Sequence, residues 1–172
     1  FESRFTSLSF QHRMHPEISD YPREVVYKRL ARSEALLNAG TIAERDRKIK
    51  WDFEPTLGKR RVWIDVRGSE HRGVNEAEVR ATRRMLDRFL GWAQRKGPPA
   101  GRRSGVWEVA CLCFYLKQEE ALSEMVRDLV GSDARHCFLY PDDDHPLVEI
   151  RCGTVDRFQG READLVLLSM RN

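Results

Sequence analysis

Apolar and polar positions alternate from Leu147 to Cys152 (LVEIRC), and shortly after, Leu165 to Met170 (LVLLSM) is nearly continuously apolar. The second run has the pattern of a strand buried in a parallel sheet. Val106 to Tyr115 (VWEVACLCFY) reads as another buried strand and Arg61 to Val66 (RVWIDV) as a further one. Between them the period changes to that of a helix. Val79, Thr82, Leu86, Phe89, Leu90 and Ala93 recur at helical spacing behind Asn75 and Glu78, a capping-box pair, and the helix is expected to end near Gly97, Pro98 and Pro99. Gln118 to Val130 predicts a second helix with Leu122, Met125, Val126 and Leu129 inward.

The flanks are less regular. Ile18, Val25, Val26, Tyr27 and Leu30 suggest a short amphipathic element around Pro22, and residues 38–60, punctuated by Gly40, Pro55 and Gly58, suggest a surface wrap. Residues 95–103 (RKGPPAGRR) read as a basic loop. Strands alternating with helices predict an α/β fold, with a mainly parallel sheet covered on both faces and joined by right-handed crossovers.

At 172 residues the chain is expected to be one domain with a real core, and its start at Phe1 suggests a piece of a longer protein. A composition of 33% charged and 41% hydrophobic residues excludes disorder, and no apolar run approaches the roughly 20 residues that span a bilayer. A net charge of +3 favours nucleic acid only mildly. Cys111, Cys113, Cys137 and Cys152 lack zinc spacing and read as buried, reduced thiols; with no visible signal peptide, a cytoplasmic or nuclear location is expected. Asp142, Asp143 and Asp144 between two prolines read as an exposed loop, and no metal site is expected. His12 and His15 at HxxH spacing lack a third ligand, with Pro16 ending the segment.

The richest stretch is Thr154 to Asp164 (TVDRFQGREAD), which packs turn and charged residues between two strands. In an open α/β sheet, ligands bind beyond the carboxyl ends of strands, where Thr154 falls, and Gly160 permits close backbone approach. Thr154, Asp156, Gln159, Arg161 and Glu162 offer hydroxyl, carboxylate, amide and guanidinium groups suited to gripping phosphates and a ribose. A solvated turn is the bland alternative.

TVDRFQGREADLVLLSM resembles motif V of superfamily 1 helicases, in the branch containing the nonsense-mediated-decay RNA helicase and its DNA-processing relatives. QHRMHP at residues 11–16 is similar to the arginine motif that opens the second RecA-like domain of that branch. The resemblance implies that residues 1–172 form this second domain, truncated before motif VI: a P-loop NTPase (RecA-like) three-layer sandwich lacking its own Walker A motif. Its absent partner, the first RecA-like domain of the same protein, would supply the P-loop and the ligands of Mg2+, and ATP would bind between the two.

The resemblance further implies residue roles. Arg13 would be the catalytic guanidinium aimed at the γ-phosphate, with Gln11 and His12 beside the nucleotide and His12 stacking on adenine. Gly160 and Glu162 would also line the nucleotide, while Asp156 and Gln159 would organise the loop and couple the sites. Thr154 would hold a phosphate of single-stranded RNA or DNA. FYLKQ is similar to motif IV, with Phe114 in place of its proline; Tyr115 and Gln118 would join the strand track, although Tyr115 also fits plain core. Asn75 and Glu78 match an Asn-x-x-Glu element of the branch that capping alone explains. The expected activity is ATP-driven 5′ to 3′ translocation by closure of two domains, and no membrane partner is expected. A non-catalytic nucleic-acid-binding or scaffolding module on the same fold is the alternative.

Overall fold

A computed structural model describes residues 10–11, 14–27, 37–38, 51–54, 60–100 and 104–171. The chain divides into two compact units, Phe1–Ile64 and Asp65–Asn172. In the first, the short strands β1 (Phe10–Gln11) and β2 (Leu37–Asn38) pair in parallel. Pro16 opens helix α1 (Pro16–Pro22) instead of ending the segment, as its missing N–H allows at a first helical turn. His15 caps this helix, its Nδ1 accepting the Glu17 N–H at 3.2 Å. Beyond Pro22 the chain continues as a π-helical turn, Arg23–Tyr27. Ile18 and Val26 are exposed here, against the amphipathic expectation.

Arg61–Val66 is not a strand. Val62, Trp63 and Ile64 are exposed, Trp63 to 74%, and no ladder partner runs beside them among the described residues. Alternation creates a strand only where another edge supplies hydrogen bonds.

The second unit holds the sheet. Its elements are α2 (Glu76–Lys96), β3 (Trp107–Cys113), α3 (Leu116–Val130), β4 (Cys137–Tyr140), β5 (Val148–Thr154), α4 (Val155–Phe158) and β6 (Leu165–Ser169). The strand order is β4-β5-β3-β6, with β5, β3 and β6 parallel and β4 antiparallel at one edge.

One face of this sheet carries Trp107, Val109, Cys111 and Cys113 beside Val148, Ile150, Cys152 and Thr154, all buried. Both long helices pack here. The Trp107 ring meets Phe89 at 6.4 Å and Trp92 at 4.9 Å, and its Nε1 donates to the Gly97 carbonyl at 2.9 Å, so α2 is locked at both its middle and its end. Leu122, Met125 and Val126 of α3 are buried as the spacing predicts, while Leu129 is only partly covered.

The other face is covered less than expected. It carries Glu108, Glu149 and Arg151, and β6 is an edge strand whose Val166 and Leu168 are exposed. A continuous apolar run reports strand propensity, but which of its two faces finds a cover is a tertiary matter. β5 lies on one side of β3 and β6 on the other, so right-handed crossovers must take α3 and the β5–β6 connection over opposite faces.

Candidate functional site

Cys113 and Thr154 are register partners at the carboxyl ends of β3 and β5. From these neighbouring ends the chain departs to opposite faces, into α3 and into α4. Such divergence opens a crevice at the strand ends, the usual location of ligand sites in open α/β sheets. Phe114, Tyr115 and Leu116 form one exposed rim. Thr154, 8% exposed, forms the other; it opens α4, yet its hydroxyl makes no capping hydrogen bond. Asp156 is exposed, and its carbonyl accepts the Gln159 N–H at 3.3 Å, which tightens the turn.

An ion pair ties the two departures together. Glu119, in the first turn of α3 and 3% exposed, accepts from Arg157 of α4 at 3.0 Å, with His136 Nδ1 at 3.5 Å from the same oxygen. Its second oxygen and the Ser123 hydroxyl one turn on are buried without a hydrogen-bond partner among the described residues. The spacing that turns Leu122, Met125 and Val126 inward also turns Gln118 and Glu119 inward one turn earlier. The periodicity therefore carried this signal, masked because both residues are polar.

Gln118 is fully buried. Its Oε1 accepts the Asn75 backbone N–H at 2.8 Å, and its Nε2 donates to the Asn75 carbonyl at 3.3 Å and to Ser169 Oγ at 2.9 Å. Asn75 caps α2 through Oδ1, which accepts from Ala77 and Glu78 N–H. Glu78 does not reach back to the Asn75 main chain, because Gln118 already holds that N–H; Glu78 instead accepts from Asn75 Nδ2 at 3.2 Å, from Ser169 Oγ at 2.6 Å and from the Arg171 N–H at 3.0 Å. Capping alone thus accounts for only part of the Asn75 and Glu78 pattern. The four side chains join the starts of α2 and α3 to the end of β6.

The rest of the Thr154–Asp164 segment leads away from the crevice. Asp164 is pinned to the start of β3: its N–H donates to the Glu108 carbonyl at 2.8 Å and its Oδ2 accepts the Glu108 N–H at 2.9 Å. Thr154 is level with Cys113 and Leu165 with Val109. At about 3.3 Å per residue, the connection therefore travels back about 13 Å along the strands. Gly160 turns it with φ 84°, a conformation that disfavours any other side chain but asparagine or aspartate. Glu162, exposed, lines a cleft of about 230 Å³ with Glu108, Glu149, Arg151, Phe158 and Arg161. Its carboxylates suit the hydroxyls of a ribose. Arg151 is already paired with Glu149. The lining thus sets three carboxylates beside two guanidinium groups.

Gln11 lies in β1, whereas His12 and Arg13 fall outside the described residues. Among the described residues no group of three or more His, Cys, Asp or Glu side chains converges on a metal position, and no helix is long and apolar enough to cross a membrane. Cys111, Cys113 and Cys152 are buried free thiols, but Cys137 is exposed at the edge strand. A hydrogen bond with Cys152, aided by burial, pushes the Cys111 thiol well above its ordinary range; burial raises Cys113 and Cys137 as well.

A mixed, mainly parallel four-stranded sheet with helices packed on it defines an α/β domain. Residues 2–171 match the AAA_12 family, an AAA domain, and the chain belongs to it: the C-terminal helicase domain of superfamily 1B helicases. Its relatives include the regulator of nonsense transcripts 1 homolog of Drosophila melanogaster, 28% identical over 94% of this chain and 12% of that protein. Helicase sen1 of Schizosaccharomyces pombe is 26% identical over 98% of this chain and 9% of its own length. The chain thus spans about a tenth of these relatives. No solved structure matches it significantly.

Proposed function

We infer that this chain is the second motor domain of an ATP-dependent RNA or DNA helicase, a RecA-like sandwich forming one wall of the nucleotide cleft and part of a single-strand track. The observation that carries this reading is the path of the Thr154–Asp164 segment. One short connection leaves the crevice at Thr154, passes Glu162 in the cleft and reaches Leu165 about 13 Å back along the strands, so displacement at one end is transmitted to the other.

In this reading Arg13, with Gln11 and His12, faces the nucleotide, and its guanidinium neutralises charge developing on the transferred phosphoryl group. Glu162 accepts from the ribose and Gly160 lets the backbone approach it. ATP with Mg2+, when bound, supplies the phosphoryl-transfer free energy, and the first RecA-like domain supplies the metal ligands. Thr154 contacts a strand phosphate, with Asp156 and Gln159 shaping the turn between the sites. Tyr115 borders the track. Gln118, being buried, acts by positioning the rim rather than by touching the strand. Travel is 5′ to 3′, as in the branch.

The test is ATP turnover by the protein that carries this chain, with and without single-stranded RNA or DNA, for wild type and Arg13→Ala. Strand-stimulated turnover that collapses in Arg13→Ala while strand binding persists is the expected result. Strand binding with no turnover in the wild type would refute the motor reading and leave a binding module.

A further inference from the structure

Arg171 is held in an uncommon way at the crevice rim. Its guanidinium lies over the Tyr115 ring with 3.6 Å between Cζ and the ring centroid. Its backbone has φ 53°, a left-handed conformation that L residues disfavour, and such outliers persist only where the surroundings impose them. The surroundings here are explicit. The Arg171 N–H donates to Glu78 Oε2 at 3.0 Å and its NH1 donates to the Gly73 carbonyl at 3.2 Å. Glu78 is fixed in turn by Ser169 and Asn75, and both of these by the buried Gln118. A buried polar network ends at the surface in one stacked pair.

The pair is accessible. Tyr115 is 45% exposed, and as the residue that opens α3 it makes no side-chain capping hydrogen bond, its carbonyl accepting the Glu119 N–H at 3.0 Å. It stands between exposed Phe114 and Leu116, and Lys117, also exposed, packs on Gly73. An aromatic face backed by a guanidinium and bordered by a second cation is the chemistry that receives an unpaired base. A base within a duplex is already stacked on its neighbours and cannot use it.

We propose that Tyr115 and Arg171 form a stacking platform for one unpaired base of a single-stranded nucleic acid, with Asn75, Glu78, Gln118 and Ser169 as its positioning residues. The proposal rests on the strand-track reading above and adds to it the chemical group that is recognised. Because every base has a π-face, the platform is tolerant of sequence. Its contribution is insensitive to salt, since no phosphate is neutralised by a guanidinium that lies flat on a ring and is anchored to a carbonyl.

The experiment is titration of the protein carrying this chain with single-stranded oligonucleotides bearing one 2-aminopurine, read by fluorescence quenching and by affinity at several salt concentrations. Tyr115→Ala is expected to weaken binding between about 5- and 150-fold and to abolish quenching at one position, with an unchanged salt slope. Tyr115→Phe retains both signals. Arg171→Lys behaves like Arg171→Ala, because an ammonium cannot stack as a plane. Unchanged quenching and affinity in Tyr115→Ala would overturn the platform and leave the Phe114–Leu116 rim as a protein-contact surface. Full recovery of Arg171→Ala by Arg171→Lys would overturn it too, by showing that charge alone matters. A wild-type protein that binds no single strand would instead bring down the strand-track reading itself.

Discussion

Replacing Gln118 tests whether the side chain acts as a buried hydrogen-bonding strut. In Gln118→Leu the volume is nearly kept, but the buried Asn75 N–H loses the Oε1 acceptor it now has at 2.8 Å. Ser169 still has Glu78 as a partner at 2.6 Å, so the loss is dominated by one desolvated donor, a cost of about 1–3 kcal/mol. Gln118→Ala adds a void at a fully buried position, bringing the total to about 3–5 kcal/mol. Urea and thermal melts followed by tryptophan fluorescence read this directly, because Trp92 and Trp107 are both in the core of the same unit. Each kcal/mol lowers the midpoint by about 4–8 °C for a domain of this size. Gln118→Leu within about 0.5 kcal/mol of wild type would refute the argument, since the Asn75 amide would then have found another partner.

Four further outcomes follow from the same geometry. A Cβ at Gly68 would lie 2.5 Å from Ala77 Cβ and 2.9 Å from Asn75 Oδ1, so Gly68→Ala displaces the cap of α2 and costs about 1–3 kcal/mol in a urea melt. Arg157→Ala removes a partner of the buried Glu119 carboxylate; solvent screening of the exposed guanidinium keeps the cost to about 1–2 kcal/mol, and proteolysis between Thr154 and Asp164 should quicken. A thiol reagent should modify Cys137 first in the native protein, and Cys111, Cys113 and Cys152 only on unfolding. Because Cys111 and Cys113 are raised above their ordinary 9.0, the folded state holds their protons more tightly. That stabilisation is complete below the unfolded value and is lost as pH climbs past it, so the urea midpoint should fall above about pH 9 and fall less in Cys111→Ala.

Periodicity located α2, α3 and β5 because each has one face that must leave water, and a single buried face writes itself into the sequence; β3, buried along nearly its whole length, was legible as a nearly continuous apolar run. Periodicity failed at Arg61–Val66 and misjudged β6, since pairing and covering depend on neighbours distant in the chain. Residue chemistry packed between two strands singled out Thr154, Gly160 and Glu162 as candidates. The sequence could not reveal that Thr154 lies at the carboxyl end of β5 while Glu162 lines a cleft with Glu108 and Glu149 near the strand starts; that depends on the strand order, which sends the connection back along the sheet. Nor could it show that Asn75, Glu78, Gln118 and Ser169 form one network, or that Arg171 lies on Tyr115. Asn75 and Ser169 are far apart in the chain, and their polar atoms meet only because α2, α3 and β6 are packed around one core. Sequence alone determined which segments are apolar enough to form helices and strands and which carry polar and charged groups. Tertiary structure decided which groups face each other, because hydrogen bonds and stacking act over a few ångströms and only folding creates those distances.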